Sequence, residues 1–315
     1  MANVVEEARR GLGRVGVWLM KARWGYVPAE VEREQIRRIE ALGYGSVWGG
    51  ETVGSKDAFV QHGVYLAATE RLMAGTGIAN AWSRHGATTQ GAGAALAEAY
   101  PGRFVLGVGV GHPFQARSVG AAEWRPLGKM REYLDEMDAG VPAPPGAPKL
   151  SMLPDAPFPR VLAAIGPKML GLARDRADGA QPFNITVEHT ALAREILGPD
   201  KLLIPQHSVL LETDAVKARE TLREGTRQGA AVRAYADNFR RLGYTEEDLT
   251  QASDRLIDAT HAWGDEEAIA RRIGEHLDAG ADHVLVTPVA DSLTAMVDEL
   301  EKLTPALLGV RTARR

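Results

Sequence analysis

Short apolar runs alternate with amphipathic stretches along this chain, and that alternation restricts its fold more than any other feature. The runs GRVGVWLM (13–20), SVWGG (46–50), RLMAGTGI (71–78), RFVLGVGVG (103–111), RVLAAIG (160–166), ADGAQPF (177–183), KLLIPQHSVLLE (201–212) and ADHVLVTP (281–288) have the length of strands. Between them, PAEVEREQIRRIEALG (28–43) places Val31, Ile36, Ile39 and Leu42 at helical spacing and stops at Gly43. Residues 57–69, 87–101, 126–138, 167–177, 186–198, 265–280 and 292–308 read as helices too, and 214–258 holds two or three more. The strands are apolar on both faces, as parallel strands covered by helices require.

Eight strands, each followed by a helix, predict an α/β protein: a single (β/α)8 TIM barrel domain over 1–315. Extra segments are expected after strand four, at about 114–158, and after strand seven, at about 214–262. The run AGVPAPPGAPKLSMLPDAP (139–157) is too rich in proline and glycine for anything but loop. An open doubly wound sheet is the alternative, and it would not need all eight units.

Composition narrows the function. The net charge of -4 leaves no basic footprint for nucleic acid. The chain has no cysteine, which excludes disulfides, thiolate metal sites and a cysteine nucleophile. No apolar run nears the ~20 residues that span a bilayer, and MANVVEEARRG has no apolar core of leader length. A cytoplasmic protein acting on a small molecule is expected, with no nucleic-acid or membrane partner.

Barrels carry their chemistry at the carboxyl ends of the strands. That rule selects Trp18 and Lys21, then Glu51 and Thr52, then Gly77 to Trp82 with Arg84 and His85. It goes on to His112, Gly166 to Met169, Phe183 and Asn184, and Thr287 and Pro288. His85, His112 and Glu51 could converge on a metal, but no metal is expected here. AIGPKML offers a phosphate site: a strand, Gly166, Pro167 as first helical residue, and Lys168. An ordinary tight turn with a surface lysine is the alternative. In RFVLGVGVGHP the glycines Gly107, Gly109 and Gly111 have the spacing GxGxG, where a dinucleotide loop has GxGxxG. Pro113 is expected to prevent a helix from starting smoothly there. The stretch reads instead as a strand with small residues on one face, against which something bulky packs. Trp18, Trp48 and Trp82 could line a slot for a planar ring. Core packing is the commoner fate of a tryptophan.

Five segments carry a resemblance: LGYGSVWGGETVG (42–54), GTGIANAWSRH (75–85), YPGRFVLGVGVGH (100–112), AAIGPKMLGLARDRADG (163–179) and WGDEEAIARRIGEHLDAGADHVLV (263–286). In order and at strand ends, they resemble the luciferase-like monooxygenase superfamily, most closely its deazaflavin branch, which uses coenzyme F-420. The resemblance implies a homodimeric oxidoreductase that transfers a hydride between C5 of the deazaflavin and a small organic substrate. An FMN-dependent monooxygenase and a non-catalytic flavin-binding relative are the alternatives. An unrelated barrel lyase would need a Schiff-base lysine, for which Lys21 is the candidate.

The resemblance also implies roles. A cis peptide at Gly77–Ile78 would press a bulge against the back of the ring, with Asn80, Gly109 and Gly111 beside it. Gly166, Pro167, Lys168 and Met169 would hold the cofactor phosphate, through every backbone N–H but that of Pro167, which has none. His112 stands where sugar-phosphate dehydrogenase relatives carry a glutamate, a departure that turns the expectation away from sugar phosphates. His112 is expected to move the proton that accompanies the hydride. Glu51 is expected to hydrogen-bond near the ring or the substrate.

Overall fold

In the computed structural model, which describes residues 4–121, 123–139 and 153–310, the chain starts with a helix. Helix α1 (Val4–Leu12) leads to β1 (Val15–Leu19), α2 (Lys21–Trp24), α3 (Ala29–Leu42), β2 (Ser46–Gly49) and α4 (Ala58–Ala68). Next come β3 (Met73–Thr76), β4 (Ala79–Asn80), α5 (Gly86–Ala99), β5 (Phe104–Gly109), α6 (Pro113–Ser118) and α7 (Pro126–Ala139). The second half begins with β6 (Arg160–Leu162), α8 (Pro167–Arg176), β7 (Gly179–Ala180), α9 (Val187–Leu197), β8 (Leu202–Leu203) and β9 (Gln206–Leu211). Four helices follow, α10 (Ala215–Ala231), α11 (Arg233–Arg241), α12 (Glu246–Gln251) and α13 (Asp254–Thr260). The chain closes with β10 (His261–Gly264), α14 (Glu266–Asp278), β11 (Val284–Pro288) and α15 (Leu293–Leu308).

The strands pair in parallel in the order β10-β9-β11-β1-β2-β3-β5-β6-β7-β8, with β4 also on β5. Ile204 and Pro205 join β8 to β9 and tie this order back on itself. Ile204 N–H donates to Ala180 O at 2.9 Å on one side, and Leu285 N–H donates to Pro205 O at 2.8 Å on the other. The sheet is therefore curved and barrel-like, with helices outside.

Three layers of apolar contact follow from the alternation along the strands. One outer cluster packs Ile36, Ile39, Val286 and Leu300 between helices and sheet. A second packs Phe104, Leu106, Leu134 and Leu170 on the other flank. The third lies inside the sheet, where Trp48, Met73, Val105, Val161, Leu202 and Leu285 meet Val5, Ala8 and Leu12 of α1.

The differences from the expected pattern have local causes. The run 71–78 is interrupted after Thr76, and the chain resumes pairing only at Ala79. The run 201–212 is split where Pro205 removes a backbone donor. Neither α1 nor β10 was expected. Pro113 does not prevent a helix: it starts α6, with His112 extended at φ -118° and ψ 157° as its N-cap. Extended backbone is what a residue before proline adopts, and proline fits the first helical position. The proline-rich loop expected at 139–157 falls mostly on 140–152, outside the described residues. Among the described residues no helix is long and apolar enough to cross a membrane.

Candidate active site

The peptide bond between Gly77 and Ile78 is cis, as expected. The bulge it belongs to is fastened on all sides. Trp18 Nε1 donates to Gly77 O at 2.9 Å. Gly77 N–H donates to Gly49 O at 2.9 Å, and Glu51 N–H donates to Ile78 O at 3.0 Å. The Glu51 carboxylate accepts from Asn80 N–H at 2.8 Å. Every residue from Leu72 to Ala81 is buried except Ile78, which stays partly exposed.

Glu51, expected to hydrogen-bond near the ring or the substrate, is engaged by the protein itself. Its carboxylate is buried and held in a fork by Arg84, whose Nη1 donates to Oε2 at 2.9 Å and whose Nη2 bonds Oε1. Arg84 Nη2 also reaches Asp57 at 2.6 Å, and Asp57 caps α4 by accepting from Phe59 N and Val60 N. A buried ion pair that loses one member leaves an uncompensated charge. Glu51 therefore anchors the bulge. It does not meet the histidines: His85 caps α5 and lies 3.8 Å from Glu136.

The glycines of RFVLGVGVGHP each answer an internal need, Gly109 and Gly111 included. A Cβ on Gly107 would run into Thr76 O. One on Gly109 would come within 2.7 Å of Ile78 Cγ1 and 2.9 Å of the Ala163 Cβ. The bulky group packed on this strand is thus the bulge itself. Gly111 lies past the strand end at φ +57°, where a side chain would hit Gln115 Oε1. That oxygen accepts from Asn80 Nδ2 at 3.1 Å and from His112 N–H at 3.1 Å. Asn80 Oδ1 accepts in turn from Trp82 N–H at 3.0 Å. Asn80 is fully buried, so it shapes the bulge from behind and presents no atom outward.

Aromatic rings bridge the strand ends. Trp18 lies 4.9 Å from Phe183, Phe183 6.4 Å from Tyr235, and Tyr235 6.4 Å from His112. His112 stacks on Phe114 at 5.9 Å and 12°. Tyr235 belongs to α11, so the segment between β9 and β10 reaches over the strand ends. Burial holds the His112 imidazole below its ordinary pKa and pushes the Tyr235 hydroxyl up to about 12. Trp48 takes the other fate available to it. It is fully buried, with Nε1 donating to Ser46 Oγ at 2.9 Å.

The strand–Gly–Pro–Lys turn forms the start of α8, with Gly166 as N-cap and Pro167 as first residue. Met169 N–H does not remain available there, because it donates to Gly166 O at 3.0 Å. Lys168 is exposed. Arg241, at the end of α11, approaches from above: its Nη2 lies 3.7 Å from where a Cβ on Gly166 would be. Arg241, Tyr235 and Gln115 carry no strand-end signal in the sequence. Two of them come from a helix some 70 residues along the chain from Gly166. The side chain of Lys21 lies outside the described residues.

A sequence model of the luciferase-like monooxygenases matches residues 12–283. The chain belongs to this family. Among its relatives is the 5,10-methylenetetrahydromethanopterin reductase of Methanolobus tindarius, 25% identical over 201 residues. That match covers 57% of this chain and 61% of the reductase, so the chain spans less than two thirds of that protein. The reductase of the same name from Archaeoglobus fulgidus is 24% identical over 290 residues, 79% of this chain and 87% of that one. Two solved structures show the same fold. An F-420-dependent secondary alcohol dehydrogenase with an F-420–acetone adduct superposes with a TM-score of 0.71 at 19% identity, covering 93% of this chain and 98% of that chain. The oxygenating constituent of 3,6-diketocamphane monooxygenase from Pseudomonas putida, with FMN, superposes at 0.69 and 13% identity, covering 96% and 100%.

Proposed function

We propose that this luciferase-like chain is an F-420-dependent oxidoreductase, built as one (β/α)8 barrel domain with insertions after its fourth and seventh strands. The observation that carries the reading is the exposure of Ile78. The chain fastens a bulge from four directions and leaves one apolar side chain of it in reach of a ligand. Ala163, beside that bulge, is three residues from Gly166, roughly 10 Å of extended chain. A flat ring on Ile78 with a phosphate on a short arm fits that span. Gly166 and Lys168 N–H, the dipole of α8 and the Arg241 guanidinium suit the phosphate.

Bound there, the deazaflavin would take up or give out a hydride at C5. The protein's share is orientation and proton handling. Trp18 holds the bulge through Gly77 O and, with Phe183, walls the ring. His112, kept neutral by burial, accepts or returns the proton of a small alcohol or similar substrate. Tyr235 stays protonated, and its ring covers His112 from α11.

The test is a titration of the purified protein with F-420 and with FMN, followed by tryptophan quenching. Saturable quenching by F-420 is expected. Tight FMN binding without F-420 binding would move the chain to the flavin monooxygenases. A second arm separates catalysis from positioning. His112→Gln keeps a hydrogen-bonding side chain but should lower turnover ~100-fold or more, with cofactor affinity retained. Unchanged turnover and pH profile would make His112 a positioning residue only.

A further inference from the structure

Gln181 stands just past β7 at 2% exposure, and its side-chain Nε2 has no hydrogen-bond partner among the described residues. Its surroundings follow from the register. Leu162 pairs with Ala180, and Gln181 N–H donates to Leu162 O at 2.8 Å. Ala180 packs outward with Leu162 and Leu203, so alternation turns the next residue inward. There Gln181 is flanked by Ala163 on one strand and by Ile204, an inner-cluster residue, on the other. Ala163 in turn abuts Gly109 and the Ile78 bulge. The unpaired amide therefore lies on the same inner face as Ile78, with β6 and β5 between them.

An amide buried without a partner is costly, and folds seldom leave one. This fold satisfies comparable groups nearby. Gln206 Nε2, also facing inward, donates to Thr287 Oγ1 at 2.9 Å and Ser208 Oγ at 3.2 Å. Gln115 Oε1 accepts two hydrogen bonds. The histidine nitrogens that lack partners belong elsewhere: His207 packs with His276 of α14, and His189 is on α9. Asn238 Nδ2, buried on α11, is also unpaired among the described residues; Gln181 is the unmet amide on the inner face of the sheet.

We propose that Gln181 is a cofactor-binding residue whose amide donates to an acceptor oxygen on the edge of the planar ring held against Ile78. The inference rests on the ring-binding reading above and names the polar contact that fixes the ring's rotation in its plane. A carbonyl of a pyrimidine-like edge suits a lone neutral donor among apolar neighbours. A cationic or purely apolar ring edge does not.

The experiment compares wild type with Gln181→Met and Gln181→Glu, reading thermal stability without ligand and F-420 affinity by quenching. Gln181→Met keeps length and removes the amide. The ligand-free Tm should hold or rise, while the dissociation constant rises about 10- to 100-fold. Gln181→Glu should bind weakly at pH 8, where the carboxylate repels the ring oxygen, and recover as the acid is protonated toward pH 4.5. If Gln181→Met lowers the ligand-free Tm and leaves affinity unchanged, the amide is structural and the inference falls. If Gln181→Met loses both stability and affinity, the pH response of Gln181→Glu decides, and a flat response overturns the assignment. If wild type binds neither F-420 nor FMN, the ring-binding reading fails and this inference fails with it. Tight wild-type binding with an indifferent Gln181→Met sinks only this one.

Discussion

The space enclosed by the sheet is finished differently at its two ends. Toward the amino ends of the strands, Leu12, Met73, Val105, Val161, Leu202 and Leu285 are at most 2% exposed and pack on one another. Helix α1 closes that end. Toward the carboxyl ends, Ile78, Trp18, Phe183, His112 and Tyr235 are only partly buried, and Gln181 is buried but unpaired. One end has met its needs internally. The other keeps apolar surface and hydrogen-bonding capacity in hand, which is what a binding site requires. The contrast separates residues that hold the fold from residues that the proposed site would use.

Glu51 tests the boundary between the two, because it stabilises the fold and shapes the site. Glu51→Ala leaves Arg84 with only the half-exposed Asp57 as partner and takes the acceptor from Asn80 N–H, and should cost about 2–3 kcal/mol in denaturant unfolding, with cofactor affinity lowered as well. A loss of activity at unchanged stability would restore the catalytic role that its contacts argue against. Leu285→Ala, at the closed end, should cost about 2–5 kcal/mol and leave the affinity of the folded fraction unchanged. A binding defect in that variant would blur the comparison.

Acid should act on the closed end and the outer layer. Burial pushes His283 down to about 4, against the hydrogen bond to Gly13 O. Burial and the Arg272 charge push His276 down to about 3. Both imidazoles are fully buried. A folded pKa below the unfolded value near 6.5 favours the native state fully above pH 6.5, and that advantage fades as pH falls toward 4 and 3. Taken in full, these shifts correspond to roughly 3 kcal/mol for His283 and 5 kcal/mol for His276. Unfolding midpoints should begin to drop near pH 6.5, above the carboxylate range. Midpoints that stay flat down to pH 5 would contradict this.

The smallest expected effect sharpens the open end. Arg241→Ala should weaken F-420 binding about 10-fold, an amount typical of one charge-assisted contact. It should leave binding of the phosphate-free ring fragment unchanged. Equal loss for both ligands would place Arg241 at the ring or in the fold.

Periodicity made the strand–helix order legible, because buried parallel strands and amphipathic helices write different spacings into the chain. The strand ends, and with them Trp18, Ile78, His112 and Gly166, followed from the barrel rule. Short or broken elements did not. Helix α1 carries only Val5, Ala8 and Leu12 as its buried face, and β10 is four residues long. The roles of Gly107 and Gly109 needed the neighbouring strand, since what occupies the missing Cβ space is Thr76 O or Ile78. Glu51 could not be told from a reactive carboxylate until Arg84 was seen around it. Arg241, Tyr235 and Gln181 owe their places to register and to a helix returning over the strand ends, and no local pattern records either.

The most direct test of the open end is a crystal structure of the protein with F-420. The account predicts density for the ring against Ile78, between Trp18 and His112. The phosphate should lie at the start of α8 within hydrogen-bonding distance of Lys168 N–H and the Arg241 guanidinium. A ring bound away from Ile78, for example in the cavity of about 530 Å³ between α14 and α15 that Arg271, Glu275 and Pro305 line, would contradict it.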